Sequence, residues 1–270
     1  MIRIKSHGMY DHFEELRPKE GEKYIECFSD WKVGECLGPG KNFALMLEPR
    51  SMFPSYIPEF VEKHPGYFKY IFTHDSKLLK LPNARLLNWA DVWLTTNSEK
   101  TKGISLITSK KDWCELHNAR NKLAKFLDHS HPEVDVFWGD WDMSVIPYKP
   151  KYEAKDYLEH YEFSIVIENY IDDYWYTEKL LNCFATKTVP IYVGARKIDE
   201  IFNPAGMIRV DNWHDIPNLL NYYQGNLEAI YQSMKDAIED NFRRVEPFKT
   251  PWKQRFFRDY GDLLEDMMNE

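Results

Sequence analysis

A chain of 270 residues, 43% hydrophobic and 29% charged, has ordinary globular composition and enough length for two small α/β domains. Its formal net charge of −8 argues against a nucleic-acid partner and against a polybasic membrane patch, because both need a basic footprint. No run approaches the roughly 18 apolar residues of a membrane span, so no transmembrane segment is expected.

The opening MIRIKSHGMYDHFEE lacks an apolar signal region, and the chain carries no N-x-S/T glycosylation acceptor. Cys27, Cys36, Cys114 and Cys183 show no metal-type or redox spacing and read as free thiols in a reducing compartment. A cytoplasmic location is the expectation. Aromatic residues reach 16%, which suits either a sugar or nucleotide ligand or an aromatic-rich core.

In chain order, the first 22 residues are polar, with Pro18 and Gly21, and read as a loose lead-in. Short apolar runs at 24–28 (YIECF), 43–47 (FALML), 67–72 (YFKYIF) and 92–95 then read as strands. A strand at 104–108 leads to a helix over 117–127, whose Ala119, Leu123, Phe126 and Leu127 share one face. Further strands are expected at 134–138, 163–167 (FSIVI), 188–193 (TVPIYV) and 207–210, with a short helix near 156–161. From about Trp213 the pattern is helical, and a last helix at 252–268 follows Pro247 and Pro251.

Strand–helix alternation of this kind implies parallel sheets: an α/β fold of two Rossmann-like domains facing a cleft, with C-terminal helices. The domain boundary is expected near 97–103. That gives an acceptor-side domain at 1–100, a nucleotide-sugar domain at 101–245, and a C-terminal helix at 246–270 packing back toward the N-terminal domain.

The chemistry concentrates in residues 163–194. An apolar strand ends in Glu168-Asn169, a polar and aromatic loop follows, and Thr177 stands where a helix N-cap belongs, ahead of Glu178 and Lys179. A helix N-terminus offers unpaired N–H groups and a positive dipole end, a seat for a diphosphate to which Lys179 adds a full charge. Glu178 can accept hydrogen bonds from sugar or ribose hydroxyls. Taken singly, Glu168 and Glu178 also read as solvated strand and helix ends, and Lys179 as a surface lysine.

The segment resembles the α1,3-fucosyltransferase family, glycosyltransferase family 10. The family's F-E-N, Y-V-T-E-K and V/I-P-I/V-x-x-G appear here as I-E-N at 167–169, W-Y-T-E-K at 175–179 and V-P-I-Y-V-G at 189–194. Upstream, Ser109 at a strand end, Arg120 on the following helix and VDVFWG at 134–139 fit the family's landmarks, and the resemblance runs from about Ile104 to Lys235. It implies a GT-B fold, a GDP-sugar donor (most often GDP-fucose), a glycan acceptor, inversion, and no obligatory metal or other cofactor. By that carry-over Arg120 and Lys179 hold the diphosphate, Glu178 lies against the sugar, and Asn169, Tyr174 and Trp175 line the nucleotide. The catalytic base falls in the N-terminal domain just after a strand, where Glu48 stands, with His74 and Asp75 as alternatives. Trp175 replaces a tyrosine and Tyr176 a small aliphatic residue, which implies an altered sugar pocket.

Two other readings remain: a non-catalytic nucleotide-sugar or glycan-binding protein of the same fold, and a metal-dependent GT-A transferase using the DxD pair Asp140 and Asp142. The run Leu37-Gly-Pro-Gly-Lys41 fails the phosphate-loop pattern, with Glu35 and Asn42 where it needs Gly and Ser or Thr.

Overall fold

A computed structural model describes residues 2–96, 98–139 and 152–270; the Asp140–Asp142 pair of the metal-dependent reading lies outside them. The strands are β1 (Ile4–His7), β2 (Ile25–Ser29), β3 (Asn42–Met46), β4 (Tyr70–Thr73), β5 (Ala84–Leu86), β6 (Lys102–Ser109), β7 (Val134–Gly139), β8 (Tyr161–Ile167), β9 (Val189–Val193) and β10 (Ile208–Arg209). The α-helices are α1 (Tyr56–Lys63), α2 (Glu115–Ser130), α3 (Ala154–Leu158), α4 (Glu178–Ala185), α5 (Ile216–Tyr223), α6 (Leu227–Ser233), α7 (Lys235–Arg244) and α8 (Trp252–Asn269). None of them is long and apolar enough to cross a membrane.

The chain folds as two compact units. The first holds Met1–Trp89, Asp172–Trp175 and Pro251–Glu270; the second holds Ala90–Ile171 and Tyr176–Thr250. Each is built on a five-stranded, all-parallel sheet, in the orders β1-β2-β3-β4-β5 and β10-β9-β8-β6-β7. These are the two Rossmann-like halves that the alternating pattern implies. The chain first passes between them at Trp89–Ala90, and the passage expected from sequence stood near 97–103.

In the first unit, α8 lays Phe256 and Leu264 on one sheet face with Phe13, Phe43 and Phe72, while α1 lays Ile57 and Val61 on the other with Phe28 and Met46. Rings meet closely there: Phe43 and Phe72 at 5.7 Å, Phe72 and Phe256 at 4.9 Å. Much of the aromatic surplus is therefore core. In the second unit, Leu180, Leu181 and Phe184 of α4 pack with Tyr192 and Phe202, and Leu123, Ala124 and Leu127 of α2 pack on the opposite face. Pro190 is tolerated inside β9 because β10 pairs only from Ile191 onward, so the missing N–H interrupts no ladder on that side.

Three expectations are corrected. The first 22 residues are not a loose lead-in: they form β1, and Phe13 is fully buried in the core. Residues 92–95 are not a strand, because the amides of Trp93 and Leu94 both go to the Asn182 side chain, at 2.8 and 3.1 Å. The helical pattern after Asn226 is two helices broken at Met234, whose ψ of 1° leaves the α region.

Candidate functional site

β8 is the middle strand of the second sheet and is buried along nearly its whole length, as an apolar run flanked by strands on both sides must be. Its end delivers Glu168 into a fully buried position, with the Glu168 amide donating to the Val193 carbonyl at 2.9 Å. The carboxylate accepts from the Thr177 amide at 2.9 Å and from the Thr177 hydroxyl at 2.9 and 3.1 Å. Thr177 in turn caps α4, its hydroxyl oxygen accepting from the Lys179 amide.

Lys179 extends from the first turn of α4 with about a quarter of its side chain exposed, at 27%. Its ammonium donates to the Thr177 hydroxyl at 2.9 Å and lies 3.2 Å from Glu178 and 3.6 Å from Glu168. Burial pulls its pKa down, but Glu178 and Glu168 outweigh that and hold it above the ordinary lysine value. Burial pushes the Glu168 carboxyl up, against the pull of Lys179.

Arg120 reaches the same place from α2. It is 7% exposed, donates to the Ile167 carbonyl at 3.0 Å, and leaves its Nε buried without a hydrogen-bond partner. One turn earlier lies His117, also buried, with Nδ1 unpartnered. Burial, then Arg120, Lys111 and Lys179, hold its pKa down at about 4, so the ring is neutral at physiological pH. Asn169 is half-buried, and its carbonyl accepts from the thiol of Cys114, the residue that opens α2. Ser109 ends β6, its hydroxyl oxygen accepting from the Lys111 amide at 3.4 Å. The second unit thus gathers Arg120, Asn169, Thr177, Glu178 and Lys179 around the end of β8. Two permanent cations and a helix N-terminus there suit a diphosphate.

Glu168 is the residue that sequence reasoning undervalued. It is not a solvated strand end but the buried acceptor that sets Thr177 and steadies Lys179. Tyr174 and Trp175 lie in the 172–175 segment, which belongs to the first unit. Trp175, expected beside the nucleotide, is 1% exposed, with its ring 4.4 Å from His74 and 6.2 Å from Trp89. Tyr174 is half-buried. Asp172 fixes the same segment by accepting from the Ser76 amide at 2.9 Å and from the Ser76 hydroxyl.

In the first unit Glu48 stands just beyond β3, half-buried, its amide donating to Asp30 at 3.1 Å. Of its two alternatives, Asp75 is committed to structure: it pairs with Arg50 and accepts from the amides of Lys77 and Leu78 at 2.9 and 3.0 Å. His74 is 2% exposed, and burial lowers its pKa to about 4. Neither of its ring nitrogens makes a full hydrogen bond, although the Leu47 and Glu48 carbonyls lie close enough to favour the protonated ring. A separate cavity of about 680 Å³ on the first unit is lined by His7, Tyr24, Glu26, Phe28 and the 37–41 run that fails the phosphate-loop pattern, and holds none of the residues expected to bind the donor or to act as base.

Comparison with known proteins places these features in a family. Residues 97–233 match the family model for the glycosyltransferase family 10 (fucosyltransferase) C-terminal region. The alpha-(1,3)-fucosyltransferase FucT of Helicobacter pylori is 27% identical over 121 residues, covering 42% of this chain and 25% of that protein. The matched stretch thus spans a quarter of that relative's length. A crystal structure of an α1,3-fucosyltransferase with GDP aligns with a TM-score of 0.55 at 14% identity, covering 93% of this chain and 90% of that one. Another α1,3-fucosyltransferase structure aligns at 0.50 and 14% identity, covering 86% and 79%. At such identity the likeness is one of fold, and that fold is the GT-B class expected from the sequence.

Proposed function

The chain belongs to glycosyltransferase family 10, and from that premise we propose that it transfers a sugar, L-fucose, from GDP-fucose to a glycan hydroxyl with inversion. The observation that carries the reading is the meeting of Arg120 and Lys179 at the N-terminus of α4, over a buried carboxylate that orders the loop. GDP is the ligand of a solved structure with the same fold.

In the proposed reaction the anomeric carbon leaves the diphosphate as the acceptor oxygen attacks from the opposite face. Negative charge builds on the departing GDP, and Arg120 and Lys179 are the groups that stabilise it. Glu178 and Asn169 supply hydrogen bonds to sugar and ribose hydroxyls. Thr177 holds the helix terminus in place. Glu48 removes the acceptor proton as general base. No metal enters the scheme, so turnover is expected to survive EDTA.

Calorimetric titration with GDP, UDP, GDP-fucose and GDP-mannose tests the donor assignment, and a preference for UDP would overturn it. Lys179→Ala and Arg120→Ala each remove a charge-assisted contact of about 1.5–3 kcal/mol. Each is expected to weaken GDP binding by roughly 10- to 150-fold. Undetectable transfer and donor hydrolysis, with GDP-fucose still bound, would instead identify a binding protein of the same fold.

A further inference from the structure

The second sheet, ordered β10-β9-β8-β6-β7, reverses direction between β6 and β8. The chain steps outward from β6 to β7 through α2, then returns to lay β8 on the other side of β6. Ligands of open parallel sheets bind at such a reversal, outside the carboxyl ends of the two strands. On the β8 side of that crevice stand Asn169 and, beyond the loop, Thr177, Glu178 and Lys179. On the β6 side stands α2, a helix of 16 residues whose N-cap residue, Cys114, makes no side-chain cap. A helix N-terminus at this place suits a phosphate.

Cys114, His117 and Arg120, spaced by three, share one face of α2. The outer two touch the chain at the end of β8: the Cys114 thiol donates to the Asn169 carbonyl at 3.3 Å, and Arg120 donates to the Ile167 carbonyl at 3.0 Å. His117 lies between them on that face. It is 5% exposed, and among the described residues its Nδ1 has no hydrogen-bond partner, nor has Nε of Arg120. The Trp113 ring meets the imidazole edge-on at 6.2 Å. Buried polar groups in folded proteins are almost always paired, so two unpaired nitrogens on one helix face mark a place for a partner that the chain itself does not supply. The surrounding charges agree with an anion. Arg120, Lys111 and Lys179 all act on the ring, and each disfavours a further positive charge there. A neutral imidazole still carries one N–H to donate.

We propose that His117 is a further diphosphate-binding residue, its Nδ1–H donating to a phosphate oxygen of the donor between Arg120 and the N-terminus of α2. This rests on the reading of the crevice as a nucleotide-sugar site. His117 adds a directional but uncharged donor, so the anion gains a contact without a third positive charge being packed beside Arg120 and Lys179.

The test compares His117→Leu, which removes both ring nitrogens, with His117→Asn, which keeps a side-chain N–H close to the place of Nδ1. By calorimetry GDP is expected to bind His117→Leu about tenfold or more weakly, the scale of one hydrogen bond to a charged group, and His117→Asn within about threefold of wild type. In urea denaturation without ligand, His117→Leu is expected to be at least as stable as wild type, because it removes a buried nitrogen that has no partner. A histidine serving structure alone would show the reverse, stability lost and GDP affinity kept, and that result overturns the proposal. A second readout needs no variant to fold: the nitrogen-15 resonance of His117 Nδ1 in the wild-type protein, which must shift on adding GDP or inorganic pyrophosphate. A silent His117 in protein that calorimetry shows to be saturated with GDP overturns the proposal and leaves the GDP-sugar reading standing. If pyrophosphate moves the resonance but UDP binds in preference to GDP, His117 keeps its role and only the guanine assignment is lost. If GDP, UDP and pyrophosphate all fail to bind, both fall.

Discussion

Gly194, directly after β9, closes the V-P-I-Y-V-G stretch, and the structure gives the reason in distances. A Cβ at this position would lie 2.9 Å from Cγ of Glu168 and closer still to the Tyr192 hydroxyl. Neither neighbour can yield. Tyr192 and Glu168 are 2% and 0% exposed, and the Tyr192 hydroxyl accepts from the Ala195 amide at 2.9 Å. Forcing a methyl into a packed site of this kind costs about 1–3 kcal/mol. Loss of the Tyr192–Ala195 hydrogen bond adds about 1 kcal/mol. Gly194→Ala is therefore expected to destabilise the protein by about 2–4 kcal/mol in urea denaturation. The same displacement moves Glu168 away from Thr177, loosens the cap of α4 and frees Lys179. GDP affinity should fall by at least about tenfold, which corresponds to 1.4 kcal/mol. Calorimetry on the folded variant measures that second effect. A Gly194→Ala protein within about 0.5 kcal/mol of wild type, the range of an indifferent surface change, and binding GDP equally well would refute the reasoning.

Asp30 predicts a pH dependence of stability. Folding raises its pKa from 3.8 to about 7, so the ionised form is the one that folding disfavours, and wild-type stability falls as pH rises from about 4 through 7. Three pKa units at 1.36 kcal/mol each give about 4 kcal/mol above pH 8, and Asp30→Asn escapes that loss. Urea denaturation at pH 5 and pH 9 should show the variant's advantage widening with pH, and a constant gap would contradict the assignment. Trp175→Ala, which empties a site packed against His74 and Trp89, is expected to cost about 3–5 kcal/mol. Unchanged stability with weakened GDP binding would instead favour a place for Trp175 beside the nucleotide.

The second unit was the more legible from sequence because its central strands are buried on both faces. FSIVI and TVPIYV are apolar runs that water-facing alternation would have broken, and Thr177 announces the helix that follows. β1 escaped notice because it is an edge strand with only Ile4 buried, so its composition is that of a loop. Residues 92–95 misled in the opposite direction. Val92 is half-buried, Leu94 buried and Trp93 exposed, and their amides are satisfied by Asn182 and by the Phe248 carbonyl, partners far along the chain that no local pattern encodes. The site divides the same way. Thr177, Glu178 and Lys179 act within one turn of helix and are readable together. Trp175 and Asp30 take their roles from residues 101 and 17 positions distant, His74 and Leu47, and only the fold brings those together.

Glu168 raises a further question: why a carboxylate should lie buried beneath the proposed seat for an anion. Arg120 and Lys179 are close enough that Arg120 disfavours the charged form of Lys179, and burial disfavours both cations. Two cations held together in a low-dielectric region would, by themselves, lose charge or move apart. Glu168 opposes that loss, since its field favours the charged form of both. It does so from below, with its own oxygens engaged by Thr177 and fully shielded from solvent. The exposed part of Lys179 and the unpartnered Nε of Arg120 keep donor capacity for a ligand. In the proposed donor site, a buried carboxylate thus keeps the cations charged and in place before an anion arrives, so little reorganisation is left for the moment of binding.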